Sequence, residues 1–414
     1  MSDNIVTLQD IKNGRISNIE WKYKSFRKDD SIYPLKVWEN LECILDKYNI
    51  KLRYNEVSKE IVSNIKGLNR NSLLTDIYTL NVKEFLNMSR EETANAMIRI
   101  AEKNKFNPFV DMLKKYENEE YSLVKEVFDC IVINDDCIEN KDYYFTIFVK
   151  WCLNVVKLAN NTLEKEYKSS GVLVLQGEQG CYKSTFASML MPDKTLFKGE
   201  KTLEPNQTDS VIQNTNYILV EWGELDSTLK AEQSKLKQFI TNSSDEYRSP
   251  YARFAEKHPR LTSYIGTVNK VDFLKDETGS RRFWIIPVLQ CDIEKMDNID
   301  IKRFWGAVYS IWKAGTTKDY LEDDERKKLN EINSRYNYKN DISYIIEEKI
   351  NWDMPKEEWE VYGITEIANY LCVKENKSLK IELEKKGLKY SSHRNKAGKV
   401  KKGFKLPRFE IKIF

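Results

Sequence analysis

The run GEQGCYKST at positions 177–185 lies between the apolar stretch VLVLQ and the segment FASML. A strand, a glycine-bearing turn, a lysine and a hydroxyl residue at a helix start are the parts of a phosphate cradle. Backbone N–H groups face the anion, the lysine meets the outer phosphates and the hydroxyl ligates a metal. Gly177, Glu178, Gln179, Gly180, Cys181 and Tyr182 would form the turn, with Lys183 on the β- and γ-phosphates of ATP, Ser184 on Mg²⁺ and Thr185 opening the helix. Tyr182 stands where G-x-x-x-x-G-K-[ST] has glycine. The turn must therefore carry a left-handed tyrosine, at about 1 kcal/mol or more, or follow a different path.

Transfer of a phosphoryl group to water also needs carboxylates, one in the metal shell and one polarising the nucleophile. In NYILVEWGELD an apolar strand ends in Glu221, a second candidate for the metal shell, and Glu224 and Asp226 follow at its mouth. Spacing alone does not choose the base among them. The strand SYIGTVN ends in Asn269, whose amide could orient water beside a γ-phosphate. The loop TGSRR puts Arg281 and Arg282 just before the strand FWIIPV. Guanidinium groups carry transition-state charge in this chemistry, often from a neighbouring subunit. Each feature alone also reads as an ordinary turn or solvated edge; it is their joint occurrence, in one order between residues 177 and 282, that argues for catalysis.

Something must hold these groups at one edge. Apolar runs at 172–176, 216–222, 263–269 and 281–288, separated by loops and helices, predict an α/β core with a parallel sheet buried on both faces. That places a P-loop NTPase-type core over 140–335, with YYFTIFVKWCLNVVKLANN as a helix packed on it. Residues 36–139 read as a mainly helical domain, from the periodicity of PLKVWENLECILDKY and REETANAMIRIAEKN. Residues 1–35 read as a basic and aromatic arm or linker. Residues 336–414 read as helix, turn, helix and a basic hairpin, a winged-helix-like region.

Composition narrows the classes. The formal charge of +3 indicates no partner by itself, but Lys374 to Arg408 carry thirteen Lys/Arg against three Glu. Seven cysteines without a C-x-x-C pair suit reduced thiols, and two distant histidines give a zinc site or a His-based triad little to build on. The polar N-terminus and the lack of any long apolar run lead us to expect a cytoplasmic protein, neither secreted nor membrane-embedded.

GEQGCYKSTF, ILVEWGELD and above all HPRLTSYIGTVNKVDFLKDETGSRRFWIIPV resemble the virulence-associated protein E family, phage and mobile-element ATPases related to superfamily 3 helicases and the AAA+ class. The resemblance spans roughly residues 105–335. It implies a five-stranded parallel sheet, Mg-ATP hydrolysis between subunits of a ring, for which a hexamer is expected, and DNA translocation. On that resemblance Gly177, Gly180, Lys183, Ser184 and Thr185 bind triphosphate and metal, and Glu221 with Glu224 form the acidic motif. Asn269 is the sensor, and Arg281 or Arg282 reaches a neighbour's site. Tyr182 and the E-x-x-E spacing depart from the family pattern.

The stretch RSPYARFAEKHPRLTSY is basic and aromatic and predicts a hairpin, with Lys257 and His258 at its tip and Arg248, Arg253 and Arg260 nearby. The resemblance implies that such a hairpin grips single-stranded DNA inside the ring, by phosphate contacts that are sequence-independent and salt-sensitive. Near the C-terminus Arg394, Lys396, Lys399, Lys401 and Lys402 would meet phosphates of double-stranded, origin-type DNA. The leading expectation is an ATP-dependent DNA helicase acting in phage or genomic-island replication. A nucleotide-switched initiator or loader and a phage-interference NTPase stand beside it. Residues 1–120 show no compact Asp/His constellation for priming, so a separate primase or a host replication protein is the expected partner.

Overall fold

The computed structural model describes residues 19–26, 28, 32–65, 67, 69–199, 207–223, 233–248, 254–274, 280–337, 341–373, 376–394 and 400–409. The chain divides into two compact units, the first running to Val271 and resuming at 276–333, the second comprising 272–275 and 334–414.

The first unit begins with a small body that is not helical throughout. Helices Trp38–Lys47, Arg70–Lys83 and Arg90–Glu102 pack with a three-stranded sheet, in which Leu52–Asn55 pairs antiparallel with Glu60–Ser63 and parallel with Lys105–Phe106. The runs LRYN and EIVS are too short for periodicity to separate from loop, which is why the sequence reads as mainly helical without marking these strands. Leu41, Ile44, Ile77, Leu80, Met97 and Ile100 form its core. A capping box starts the third helix: Ser89 Oγ accepts from Glu92 N (3.1 Å) while the Glu92 carboxylate accepts from Ser89 N (2.6 Å). The part of the arm beyond residue 18 is pinned down by buried Asn40, whose Oδ1 accepts from Tyr23 N at 3.0 Å.

The larger body is a six-stranded sheet built from β1 (Ile131–Ile133), β2 (Val172–Gln176), β3 (Phe197–Lys198) and β4 (Leu219–Trp222). After a separate hairpin of β5 (Ser244–Tyr247) and β6 (Glu256–Pro259) come β7 (Ser263–Val268) and β8 (Phe283–Cys291). The sheet order is β1-β8-β2-β7-β4-β3. Five strands run parallel, as the resemblance implies, and β1 adds an antiparallel edge. Every residue of β2, β4 and β7 is buried, the pattern of strands covered on both faces. β2 lies between the later strands β7 and β8, so the connection leaving it crosses away on one side while the chain returns on the other. In open α/β sheets the crevice at such a switch point, beyond the strand C-termini, is where ligands bind.

Aromatic residues fix helices to this sheet. On α1 (Lys141–Ala159) buried Trp151 donates Nε1–H to Tyr264 O (3.1 Å). On α3 (Ile301–Ala314) Trp305 donates to Leu190 O (2.6 Å), just beyond α2 (Lys183–Met189), and stacks edge-on with Phe109 at 5.3 Å. Asn107 ties the small body to the sheet body: it caps the helix Pro108–Lys115 through Phe109 N and Val110 N (both 3.1 Å) and donates to Ala159 O (2.9 Å).

The second unit consists of α4 (Asp341–Lys349), β9 (Glu360–Tyr362), α5 (Ile364–Leu371), α6 (Asn376–Lys385), β10 (Ser391–Arg394) and β11 (Val400–Leu406). Its antiparallel sheet has the order β9-β11-β10. Ile346, Ile367, Leu371, Leu379, Leu383 and Phe404 form its core. Among the described residues no helix is long and apolar enough to cross a membrane.

A Cβ on Gly306 would stand 1.9 Å from Tyr116 O. Gly306→Ala is therefore expected to destabilise the first unit by about 1–3 kcal/mol through overpacking, read as a lower urea or thermal midpoint.

Candidate functional site

The 177–182 loop leaves β2 through a gap that only glycine fits. Gly177 N donates to Val268 O (3.1 Å), and a Cβ on Gly177 would lie 2.2 Å from Val288 O. Its role is close approach between β7 and β8; the left-handed backbone comes later, at Gly180 (φ 89°) and Tyr182 (φ 62°, ψ 24°). Of the two paths open to Tyr182, the loop takes the left-handed one, and leaves the ring 54% exposed. Cys181 is buried and its carbonyl accepts from Cys291 N (3.0 Å), whereas Glu178, Gln179 and Gly180 are exposed. The loop is clamped at its base with its crest in solvent. α2 then starts at Lys183, with Ser184 and Thr185 exposed on its first turn.

Lys183 is 6% exposed, and its ammonium turns back over the loop. It donates to Gly177 O (2.8 Å), Glu178 O (2.6 Å) and Asn269 Oδ1 (3.1 Å), with Cys181 Sγ at 3.4 Å. An ammonium has three N–H donors, and three neutral oxygens take them. The strand-end asparagine and the loop lysine are thus in direct contact. On the next strand Glu221 is 1% exposed, and its Oε1 accepts from Thr267 Oγ1 (2.9 Å). Thr267 and Asn269 are two residues apart, so side-chain alternation extends one line from Glu221 through Thr267 to Asn269 and Lys183. Thr267 was not singled out from the sequence, although its spacing from Asn269 carries the signal. Glu224 and Asp226 lie outside the described residues.

Arg281 and Arg282 are not brought to this loop. They precede β8, whose first residue Phe283 pairs with Val172, while Pro287 pairs with Gln176 at the loop end. Four residue steps at roughly 3.3 Å put the arginines more than about 13 Å from the loop along the strands. Arg281 is exposed there and Arg282 partly so.

The hairpin differs from expectation in one respect. Lys257 and His258 are not at its tip but within β6, paired with Glu246 and Asp245. β6 runs Glu256–Pro259 and so takes both residues into the strand, while residues 249–253 lie outside the described residues. Lys257 forms an ion pair with Glu166 (2.6 Å), which also accepts from Ser243 Oγ (2.7 Å) and holds its carboxyl below the usual range through these bonds. His258 stacks on Tyr247 (4.5 Å), and burial, helped by the Lys59 charge and opposed by Glu256 and Asp245, pushes its pKa down. Lys59, from the small body, donates to Tyr247 OH (2.7 Å), and burial lowers its pKa to about 8. Arg260 is fully buried, bonded to both oxygens of Asp245 and to Phe239 O, with its guanidinium over the Phe239 ring at 3.9 Å. These side chains hold the hairpin base. Arg248, just after β5, and Phe254, just before β6, are exposed, Phe254 by 78%, and Arg253 lies outside the described residues.

In the second unit Arg394 closes β10, and Lys401 and Lys402 lie on β11 opposite His393 and Ser392; all three basic residues are exposed. Lys401 pairs with Glu366 (2.8 Å). Lys396 and Lys399 lie outside the described residues.

Fold and site together define a mixed α/β protein with a mostly parallel sheet and a lysine-bearing loop at its switch point. The sequence profile of the virulence-associated protein E-like domain matches residues 113–338, and the chain belongs to that family. No curated protein matches the sequence. Among solved structures, the apo structure of the NrS-1 C-terminal region (305–718) is similar at 12% identity and a TM-score of 0.49, covering 90% of this chain and 99% of that one. The A form of the same apo region gives 12% identity and a TM-score of 0.47, covering 91% and 100%.

Two outcomes follow from the geometry. Because Tyr182 is left-handed, Tyr182→Gly is expected to keep or raise thermal stability by up to about 1 kcal/mol, and Tyr182→Val to lower it by about as much or more, β-branching being least compatible with positive φ. Because the folded His258 binds its proton more weakly than the unfolded chain, stability should fall as pH drops through about 6.5 and below. His258→Gln should lose part of that acid sensitivity in melting curves taken from pH 7.5 to 5; an unchanged profile would show that other groups govern it.

Proposed function

We propose that this protein is a nucleotide-dependent DNA-processing ATPase, and that its reaction is hydrolysis of ATP at the 177–185 loop coupled to movement along or opening of DNA. The observation that carries this reading is the line of Lys183, Asn269, Thr267 and Glu221 across three adjacent strand ends, beside a loop whose crest is open. Lys183 rests on neutral carbonyl oxygens that triphosphate oxygens would displace, since a charged acceptor makes the stronger bond. The N–H groups of the loop and of the first turn of α2 then face the phosphates.

The donor set suits Mg²⁺ brought with the nucleotide: an exposed Ser184 hydroxyl and a carboxylate, Glu221, oriented by Thr267. The metal would neutralise charge on the transferring phosphoryl group. Buried Glu221 is suited to the metal shell and is badly placed to meet bulk water, which leaves Glu224 as our candidate base. Asn269, released from Lys183, would orient the attacking water. Arg281 and Arg282, at the opposite end of the sheet, can serve such a site only on another copy, so the reading entails a homo-oligomer, and we take the hexameric ring as its form.

For DNA, we assign the hairpin turn with exposed Arg248, flanked by Arg253 and Lys257, to the single strand. The basic hairpin of Arg394, Lys396, Lys399, Lys401 and Lys402 is assigned to duplex phosphates. The helix, strand, helix, helix, hairpin order of the second unit supports a winged-helix reading. Replication of a phage or mobile element, with a separate primase and in the cytoplasm, is the setting that the family suggests. A nucleotide-switched initiator is the second reading. It is favoured by the internal pairing of Lys257 and the stacking of His258, which would leave the hairpin fewer groups to grip DNA.

The test is ATP hydrolysis with and without single-stranded DNA. Lys183→Ala should lower the rate by at least about a hundredfold, and Asn269→Ala should lower it without unfolding the chain. DNA should stimulate the wild type, and Arg248→Ala with Lys257→Ala should remove only the stimulation. Hydrolysis indifferent to DNA would favour the switch, and hydrolysis that survives Lys183→Ala would sink the site assignment.

A further inference from the structure

Phe409 follows β11 by three residues and lies in neither helix nor strand. Its ring stacks on Tyr362 at 3.8 Å (18°) and on Tyr370 at 4.0 Å (1°). Two rings cannot overlie the same face of a third at these distances, so the tyrosines stand on opposite faces, twice a stacking distance apart. The tyrosines come from different elements, Tyr362 from β9 and Tyr370 from α5, and both are positioned by polar bonds: Tyr362 OH accepts from Phe409 N (3.2 Å), and Tyr370 OH donates to Lys349 O (3.2 Å). All three rings are half-buried, so the slot opens to solvent.

Phe409 packs against the apolar core of the unit, but the open side of the slot is polar. A small cavity of about 30 Å³ adjoins the slot, lined by Lys349, Asn351, Tyr370 and Arg408 among others, and Lys401, paired with Glu366 at 2.8 Å, stands 5.7 Å from the Tyr362 ring centroid. Phenylalanine has no charge and no polar edge to use these cations. A planar base joined to a phosphate has both. Parallel aromatic faces accept any flat ring, because every base has a π-face, and basic groups beside them follow the backbone.

We propose that Tyr362 and Tyr370 form a clamp for one unpaired base of single-stranded DNA, and that Phe409 is a resident plug that the base displaces. Exposed Arg408, with Lys349 turned from Leu371 O and Lys401 exchanged from Glu366, would then meet the adjoining phosphates. The proposal shares with the ATPase reading only the class of partner; its test uses no nucleotide triphosphate, so either can fail alone.

The experiment uses the full chain and an oligothymidylate carrying one central 2-aminopurine, whose fluorescence is quenched by stacking. Phe409→Ala should bind on the order of tenfold more tightly than wild type, with deeper quenching. Phe409→Leu, which keeps an apolar side chain against the tyrosines, should do so partly. Adding Tyr370→Ala to either should cancel the gain and the extra quenching. If both single variants melt as wild type does yet bind and quench no differently, Phe409 only anchors the tail and the proposal is overturned. Should both unfold, photocrosslinking of a 5-bromouracil oligonucleotide to the wild type decides. Label on the peptides bearing Tyr362 or Tyr370 supports the clamp, and label confined to other peptides overturns it. Free 2-aminopurine riboside monophosphate binding as tightly as the oligonucleotide would also overturn it, since the slot would then take a nucleotide and not a strand.

Discussion

The ammonium of Lys183 is the charge around which the sheet body is arranged. A cation this buried is costly unless all of its protons are taken. Here two loop carbonyls and one strand-end amide take them, with no carboxylate among the three. Neutral acceptors keep the lysine in place without neutralising it, so it stays available to an anion. The arrangement requires that β7 end beside the loop and that Gly177 pass under Val288 without a Cβ. Sheet order, one glycine and one asparagine are thus consequences of the same constraint.

The left-handed tyrosine follows from that clamp. With the loop base held by Val268 O, Val288 and Cys291 N, the last residue before α2 has little choice of dihedral, and the cost of positive φ at Tyr182 is borne by the surrounding bonds. Strain held by over-determined surroundings is usual where a backbone serves a ligand.

Much of this was legible in the sequence, for reasons that differ by element. The buried strands VLVLQ and SYIGTV announce themselves as continuous apolar runs, and the loop between strand and helix by its lysine and glycines. The three short strands of the small body are not legible, because two to four residues hold too little of a period. The hairpin was legible as a hairpin, but its turn was placed wrongly. Lys257 and His258 look like solvent groups by type, yet one pairs with Glu166, ninety-one residues earlier in the chain, and the other stacks on its cross-strand neighbourhood. Partners at that sequence separation leave no local trace.

The same limit applies to the second unit, where it conceals more. Tyr362, Tyr370 and Phe409 read singly as a strand residue, a helix residue and a tail residue, and no periodicity links them. They meet because β9 pairs with β11, which brings Phe409 back between Tyr362 at the end of β9 and Tyr370 in the last turn of α5. A basic, hairpin-bearing unit can bind nucleic acid through phosphates alone, and such binding is indifferent to whether the strand is paired. Stacking is not, because a base must leave its partner to enter an aromatic slot. On the proposed clamp, the three rings at one end of the unit would add to phosphate contacts, which a duplex can also make, a slot that only an unpaired base can enter.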